Sequence, residues 1–278
     1  NTNPDRNRVY AAHAAAMLHA AEAAQLWRRD IDFDARLRRL ERDLPNLRVT
    51  LHWLTEHDLP GALRLLDMLG SFWVLCGSGA DGLAYCEAAL GLYAEPDLLR
   101  CRLLRHAAWI ATNLGEFARA KRHIIRAHHL AESLGDEREL AFVQFVRGNI
   151  AQGLGRMDEA ERDIECALRV FQAWGESWAT FASNAVLGMV ALDRGDAALA
   201  EARYEIALRM AAPDLAVRDR ATALCNIAVA QHWQGRVDDA ATNAAHALAL
   251  TERSVAWSVR AGAWQVLARG ALQQGDRE

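Results

Sequence analysis

The chain has 278 residues, of which 52% are hydrophobic and 24% are charged. This composition excludes a disordered chain, and no apolar run approaches the roughly 20 residues that a membrane-spanning helix needs. The net charge is −4, with acidic and basic residues interleaved, so the sequence shows no basic face for nucleic acid. The cysteines are widely spaced and form no C-x-x-C pair, which disfavours disulfides and structural zinc and predicts a reducing, cytoplasmic location.

The segment 1–57 is predicted to be a helical lead-in. Apolar residues at helical spacing predict one long alanine-rich helix from Val9 to Trp27 and a second helical stretch from Phe33 to Trp53. Pro45 interrupts the second stretch, and we expect it to break or kink the helix, because proline cannot donate a backbone hydrogen bond. After the lead-in, Asp58 followed by Pro60 predicts a helix start.

Glycine recurs at every fortieth position, at Gly115, Gly155, Gly195, Gly235 and Gly275. Alanines follow each of the first four glycines by five and by twelve residues. A tight turn between two antiparallel helices favours glycine, which adopts the left-handed conformation without steric cost. The spacing therefore predicts a series of antiparallel helix pairs, with the glycine at the end of each first helix.

Two further features support these helix pairs. Seven residues before each glycine stands a small residue, which allows the second helix to approach the first: Ala108, Gly148, Gly188, Ala228 and Ala268. Carboxylates follow the turns, where they can cap the second helix or complement its dipole: Asp158, Asp196, Asp238 and Asp239. We therefore predict a divergent repeat over 58–98 and regular repeats over about 99–138, 139–178, 179–218 and 219–258. A truncated repeat follows over 259–278, and we expect the natural protein to continue, because half a repeat exposes an apolar face.

The repeat resembles the tetratricopeptide repeat. The small residue of the first helix, the turn glycine and the second-helix pattern Ala160-Ile164-Ala167 or Ala200-Tyr204-Ala207 match that family, although its usual period is about 34 residues. The resemblance implies an all-α, right-handed superhelix, or solenoid, of antiparallel helix pairs, here with a 40-residue period. Longer helices are the simplest way to accommodate the additional residues.

A second resemblance concerns the wider protein. Residues 40–48, Phe72-Trp73 and the repeat wording of 186–196 resemble the helical repeats of bacterial signal-transduction ATPases, including LuxR- or AfsR-like transcriptional regulators. This resemblance implies a sensor or partner-binding arm whose ATPase and DNA-binding domains lie outside this sequence. The alternative is a stand-alone scaffold or peptide receptor in which the repeats are the entire functional unit.

The sequence offers little support for catalysis. No phosphate-binding loop G-x-x-x-x-G-K-[ST] and no G-x-S-x-G motif occur, and the glycines of residues 77–82 lie at a predicted inter-helix turn. The spacings of five and six between His123 and the pair His128 and His129 suit a solvated helix face better than a metal site. We therefore predict a protein that is not an enzyme and has no cofactor and no metal.

The predicted binding site is the concave groove, which the first helices line in the tetratricopeptide fold. Aromatic and arginine side chains are common binding anchors, and amides can hold an extended backbone. The expected partner is a protein, a peptide or a small effector, and neither nucleic acid nor membrane. The predicted groove residues are Arg105, Trp109, Asn113, Phe145, Asn149, Gln152, Met189, Asn226, His232, Trp233 and Arg269.

Overall fold

The computed structural model describes residues 4–210, 216–252 and 256–275. Residues 211–215 and 253–255 of the predicted repeats, and 276–278 of the predicted truncated repeat, lie outside the described residues. Over the described ranges the chain forms α-helices and no strand, which confirms the all-α prediction. None of the described helices has both the length and the apolar character needed to cross a membrane.

The helices follow one another through short turns. Those of the lead-in and the divergent repeat are α1 (Pro4–Ala24), α2 (Phe33–Arg42), α3 (Leu44–His57), α4 (Leu59–Met68), α5 (Phe72–Leu75) and α6 (Gly79–Leu92). The first helices of the later repeats are α7 (Leu98–Asn113), α9 (Glu137–Gly153), α11 (Ser177–Asp193), α13 (Val217–Trp233) and α15 (Trp257–Gln274). The second helices are α8 (Phe117–Leu134), α10 (Met157–Ala173), α12 (Ala197–Met210) and α14 (Val237–Leu250).

The helix boundaries in the lead-in have local causes. The chain breaks between α2 and α3, and Pro45 occupies the first turn of α3, where its missing N–H leaves no bond unmade. The predicted break is therefore confirmed. Asp58 Oδ1 accepts a hydrogen bond from the backbone N–H of Gly61 at 3.1 Å and caps α4, which confirms the predicted start.

The turns between the paired helices have the predicted geometry. The five repeating glycines have φ between 74° and 85°, a region that side chains other than glycine rarely adopt. Just after the Gly195 turn, Asp196 Oδ1 accepts a hydrogen bond from the N–H of Leu199 at 2.9 Å. The sequence pattern thus located the turns correctly because one residue type satisfies their backbone conformation.

The chain divides into two compact units. Unit 1 consists of Asn1–Arg28 and Ala35–Gly153, and unit 2 of Arg29–Asp34 and Leu154–Glu278. The predicted boundary at residue 57 rests on the phase of the repeat rather than on compactness, and it stays a prediction.

Each unit has its own core. In unit 1, Phe72 and Trp73 are fully buried and meet edge to face, with ring centroids 5.3 Å apart. In unit 2, the buried Tyr204 lies against Gly188, where an added Cβ would come within 2.4 Å of the Tyr204 Cε1 atom. The small residue of the first helix therefore makes room for the second helix, as the sequence pattern predicts.

Candidate functional site

One position of the first helices is accessible to solvent in every described repeat. This position, which we call the outer row, is occupied by Trp109, Asn149, Met189, Val229 and Arg269, and none of the five is buried. The next residue along each helix is buried in all five cases: Ile110, Ile150, Val190, Ala230 and Gly270. The contrast follows from the helical period, since neighbouring residues point about 100° apart. The outer row differs in chemistry from repeat to repeat, as a recognition surface would.

In unit 1, the predicted aromatic residues lie together. The ring centroids of Trp109 and Phe145 are 5.7 Å apart, and Phe145 is only 4% exposed. Phe145 therefore supports Trp109 from below, while Trp109 is half-buried and accessible. Asn113 and Asn149 each donate a hydrogen bond from Nδ2 at 2.8 Å to the carbonyl oxygen four residues earlier. Their amide oxygens retain acceptor capacity for a ligand.

The predicted anchor Arg105 is already engaged within unit 1. Its Nε donates to Glu139, and its guanidinium lies 5.3 Å from the centroid of the Phe142 ring. Arg102 is more exposed and lies between Asp67, at 3.4 Å, and Glu139, at 3.6 Å. Because Arg105 has its charge partner inside the unit, it offers a ligand less than its residue type suggested. Gln152 is half-buried near the end of α9.

In unit 2, the predicted residues differ widely in accessibility. Trp233 is 65% exposed at the end of α13, Met189 on α11 is 37% exposed, and Arg269 on α15 is exposed. Asn226 and His232 of α13 are half-buried, and among the described residues the buried Nδ1 of His232 has no hydrogen-bond partner. The exposed Trp233 is the largest apolar anchor of this set.

The predicted solvated histidine face of α8 is wrong for one residue. His123 is buried and its Nε2 lies 2.8 Å from Glu87, because α8 turns this residue toward α6. His128 and His129 share Glu132 as a neighbour, and the potential ligand atoms of the three side chains lie within 4.8 Å of one another. The prediction missed Glu132, which stands four residues after His128, a spacing that places both on one face. Burial and the positive charge of Arg147 lower the pKa of His128, and the same charge opposes a bound cation.

A buried histidine–aspartate pair lies next to the engaged arginine. His106 Nε2 is 3.0 Å from Asp67 Oδ1 in unit 1. Burial and the neighbouring Arg105 lower the pKa of His106 despite this contact. Burial opposes ionisation of Asp67, but the hydrogen bond with His106 and the nearby arginines outweigh it, so the pKa of Asp67 is also below its usual value. Both groups therefore hold fewer protons in the folded chain than in the unfolded chain as the pH falls.

We expect this pair to make the protein less stable in mild acid. Below about pH 6.5 the unfolded chain protonates His106 while the folded chain resists, so the free energy of unfolding falls with pH, and Asp67 adds to the fall below about pH 4. His106→Gln should reduce the difference in the free energy of unfolding between pH 7.5 and pH 5.5, measured in urea. His246→Gln, at an exposed position of α14, is the matched control. An unchanged pH difference in His106→Gln would contradict this account.

The sequence analysis missed a buried charge cluster in unit 2. It joins Arg29 and Asp34 of the short segment between α1 and α2 to Arg218 and Asp219 of α13. The available signal was indirect, because α11 carries alanines where α7, two repeats earlier, carries arginines: Ala182 and Ala185 correspond to Arg102 and Arg105. The small side chains leave Asp219 without an arginine from the preceding first helix.

The helix pairs, their left-handed glycine turns and their small-residue contacts define the fold as that of tetratricopeptide-repeat proteins. No family model matches the chain, and no curated protein matches it. Among solved structures, the chain is similar to NprR in complex with its cognate peptide NprX, with a TM-score of 0.66 and 16% identity, over 87% of this chain and 71% of NprR.

Two further solved structures share the fold. A Rap protein complexed with competence and sporulation factor matches with a TM-score of 0.65 and 17% identity, over 98% of this chain and 72% of Rap. A signal-transduction ATPase with numerous domains from Pyrococcus horikoshii, which has a tetratricopeptide-repeat sensor, matches with a TM-score of 0.62 and 13% identity. That match covers 98% of this chain and 44% of the Pyrococcus protein. At these identities the likeness defines the fold.

Proposed function

We propose that this chain is a non-catalytic binding module that recognises an extended peptide or protein segment on the accessible face of its first helices. The observation that carries the proposal is the outer row: one residue per first helix, different in each repeat and never buried, beside a row that is always buried. Such a surface presents varied side chains on a rigid scaffold, which is what specific recognition requires.

The half-buried Trp109 is the centre of the proposed site in unit 1. Phe145 supports its ring, and Asn113 and Asn149 lie one turn further along the helices of Trp109 and Phe145. A rigid aromatic side chain loses little conformational entropy on binding, and amide oxygens can accept hydrogen bonds from the backbone of an extended chain. The NprR structure contains its cognate peptide, and the Rap structure contains competence and sporulation factor, which makes a peptide the favoured occupant.

The wider role we propose is that of a sensor arm in a bacterial transcriptional regulator of the signal-transduction ATPase type. The likeness to the sensor-bearing Pyrococcus ATPase supports it. Binding would act by differential affinity for two arrangements of the arm, since a ligand shifts an equilibrium only by that difference. The second candidate is a stand-alone peptide receptor, which the likeness to NprR favours equally.

The binding proposal is tested by replacing Trp109 and Asn149 together with alanine. The probe is a set of peptides selected on the wild-type chain from a random twelve-residue display library. We expect the double variant to lose affinity for these peptides by about 100-fold or more, because aromatic anchors carry most of the binding energy. Helicity and melting should stay close to wild type, because both side chains are partly exposed.

The matched control is Ile125→Ala with Arg126→Ala, on the exposed face of the second helix α8. This control should bind the selected peptides as the wild type does. Equal binding by the Trp109→Ala, Asn149→Ala chain would remove this face from the proposal.

The regulator context is tested by the coding sequence on both sides of these 278 codons. A phosphate-binding loop upstream supports the sensor arm of an ATPase, and a helix-turn-helix motif on either side supports a transcriptional output. Stop codons close by on both sides would favour the stand-alone receptor instead.

A further inference from the structure

The linker between α1 and α2 belongs largely to unit 2 rather than to unit 1. We call its residues Arg29–Asp34 the clasp segment. The carbonyl oxygen of Arg29 accepts a hydrogen bond from the backbone N–H of Ala216 at 2.9 Å. The Arg29 guanidinium lies between two aromatic rings, 4.2 Å from the centroid of Phe33 and 4.8 Å from that of Trp178. A backbone contact and an aromatic pocket are the elements with which proteins hold peptides.

The clasp segment is also held by charge. Arg29 Nη2 lies 3.8 Å from Asp219 Oδ1, and Arg218 Nε donates to Asp34 Oδ1 at 3.1 Å. The four side chains are between 6% and 11% exposed. Two opposite charges on the segment thus meet two opposite charges on α13, in an order that sets the direction of the bound segment.

These ion pairs are imperfect. Among the described residues, Arg29 Nη1, Arg218 Nη2 and Asp219 Oδ2 are buried without a hydrogen-bond partner. Burial lowers the pKa of Arg29 and raises that of Asp219, so desolvation outweighs the attraction between the charges. A buried pair with unsatisfied atoms contributes little net stability. The clasp segment is therefore positioned specifically and held weakly.

The repeats supply an internal comparison for this site. Two repeats before Asp219, Glu139 of α9 occupies the equivalent position, and its partners Arg105 and Arg102 come from the preceding first helix α7. In α11 the positions of these arginines are occupied by alanines, Ala182 and Ala185. The clasp segment therefore supplies, from outside the repeat array, the guanidinium that α7 supplies within it, and the two alanines leave space beside it.

We propose that the clasp segment is an internal ligand, and that Trp178, Arg218, Asp219 and the N–H of Ala216 form a binding site for an extended peptide of the same chemistry. Such a peptide carries an arginine, an aromatic residue four positions later and a carboxylate immediately after it, as the clasp segment does. This inference rests on the proposed function, because it assigns a ligand class to the first-helix face of unit 2. Peptide binding displaces the clasp segment.

Displacement has a quantitative consequence. A segment tethered at both ends competes at a high effective concentration, on the order of millimolar for a short connection. A free peptide with only the clasp contacts therefore binds the wild-type chain weakly. Its apparent affinity rises in proportion to the fraction of chains in which the site is open.

The test uses the full chain and a fluorescein-labelled peptide with the sequence of residues 27–36, followed by fluorescence anisotropy. The open variant is Arg29→Ala with Asp34→Ala. We expect it to bind the peptide at least about tenfold more tightly than the wild type. The same peptide with alanine in place of the residue equivalent to Arg29 should lose at least about tenfold in affinity, because it lacks the charge and the aromatic stacking.

Ile31→Ala is the matched control, in the chain and in the peptide, because Ile31 is in the clasp segment but is exposed. It should change neither affinity. If the double-alanine chain loses its helical circular dichroism, Arg29→Lys with Asp34→Asn replaces it, since these changes keep side-chain size and weaken the pairing.

The proposal is overturned if the open variant binds no more tightly than the wild type, or if the peptide without its arginine binds equally well. Library peptides that depend on Trp109 and Asn149 do not require the clasp site. Their binding therefore separates failure of this inference from failure of the proposed function.

Discussion

Glu139→Ala is expected to lower the free energy of unfolding by about 3–5 kcal/mol. The Glu139 side chain is 5% exposed and is the carboxylate that faces both Arg105 and Arg102. Its removal leaves the Arg105 guanidinium in a largely buried position against Phe142, with no carboxylate in direct contact. An uncompensated buried charge costs more than the pair contributes, because the desolvation penalty of the remaining ion persists.

Urea unfolding followed by circular dichroism measures this loss. Glu132→Ala, on the exposed part of α8, is the matched control, and we expect a change within about 0.5 kcal/mol, since exposed ion pairs contribute little. Equal losses in the two variants would show that Glu139 behaves as a surface carboxylate, and would also weaken the comparison between Glu139 and Asp219.

Gly188→Ala is expected to destabilise unit 2 by about 1–3 kcal/mol, although alanine is the better helix former. The added Cβ would lie 2.4 Å from Cε1 and 2.7 Å from Cδ1 of Tyr204, and this ring is buried and cannot rotate away without disturbing its neighbours. Gly91→Ala is the matched control in a helix, because an added Cβ there meets nothing within 4 Å. It should leave stability unchanged or raise it by up to about 1 kcal/mol.

The other repeats indicate how the loss can be reversed. Ala108 stands in the position of Gly188 and faces a repeat in which isoleucine, Ile124, replaces the tyrosine. Tyr204→Ile should therefore recover most of the stability lost in Gly188→Ala, measured as a double-mutant cycle in urea. Additive losses in the double variant would contradict the view that the two positions compensate in volume.

Sequence reasoning predicted the features that one residue type can satisfy alone. The left-handed turns require glycine, the helix break follows from Pro45, and the cap of α4 follows from Asp58. The regular glycine spacing then defined the helix pairs, because each repeat meets mainly its neighbours in sequence. These predictions needed no knowledge of contacts between distant residues.

The candidate site was less predictable because its chemistry depends on pairing. Helical phase put Arg105 and Phe145 on the first-helix face, but the structure pairs Arg105 with Glu139 and covers Phe145. The approach of Arg29 to Asp219 joins opposite ends of the sequence, so no local pattern announces it. The two peptide experiments test the outer row and the clasp site separately.

The alanine-rich core at the end of unit 2 has a consequence for how the array yields under load. Around α13, α14 and α15 the buried residues are mostly alanines, including Ala240 and Ala244, whereas α10 and α12 bury larger side chains such as Phe171 and Tyr204. Small side chains remove less apolar surface from water, and in a linear array each interface contributes separately to cohesion. The terminal hairpin is thus the compliant end of unit 2, where thermal opening starts and from which it spreads inward.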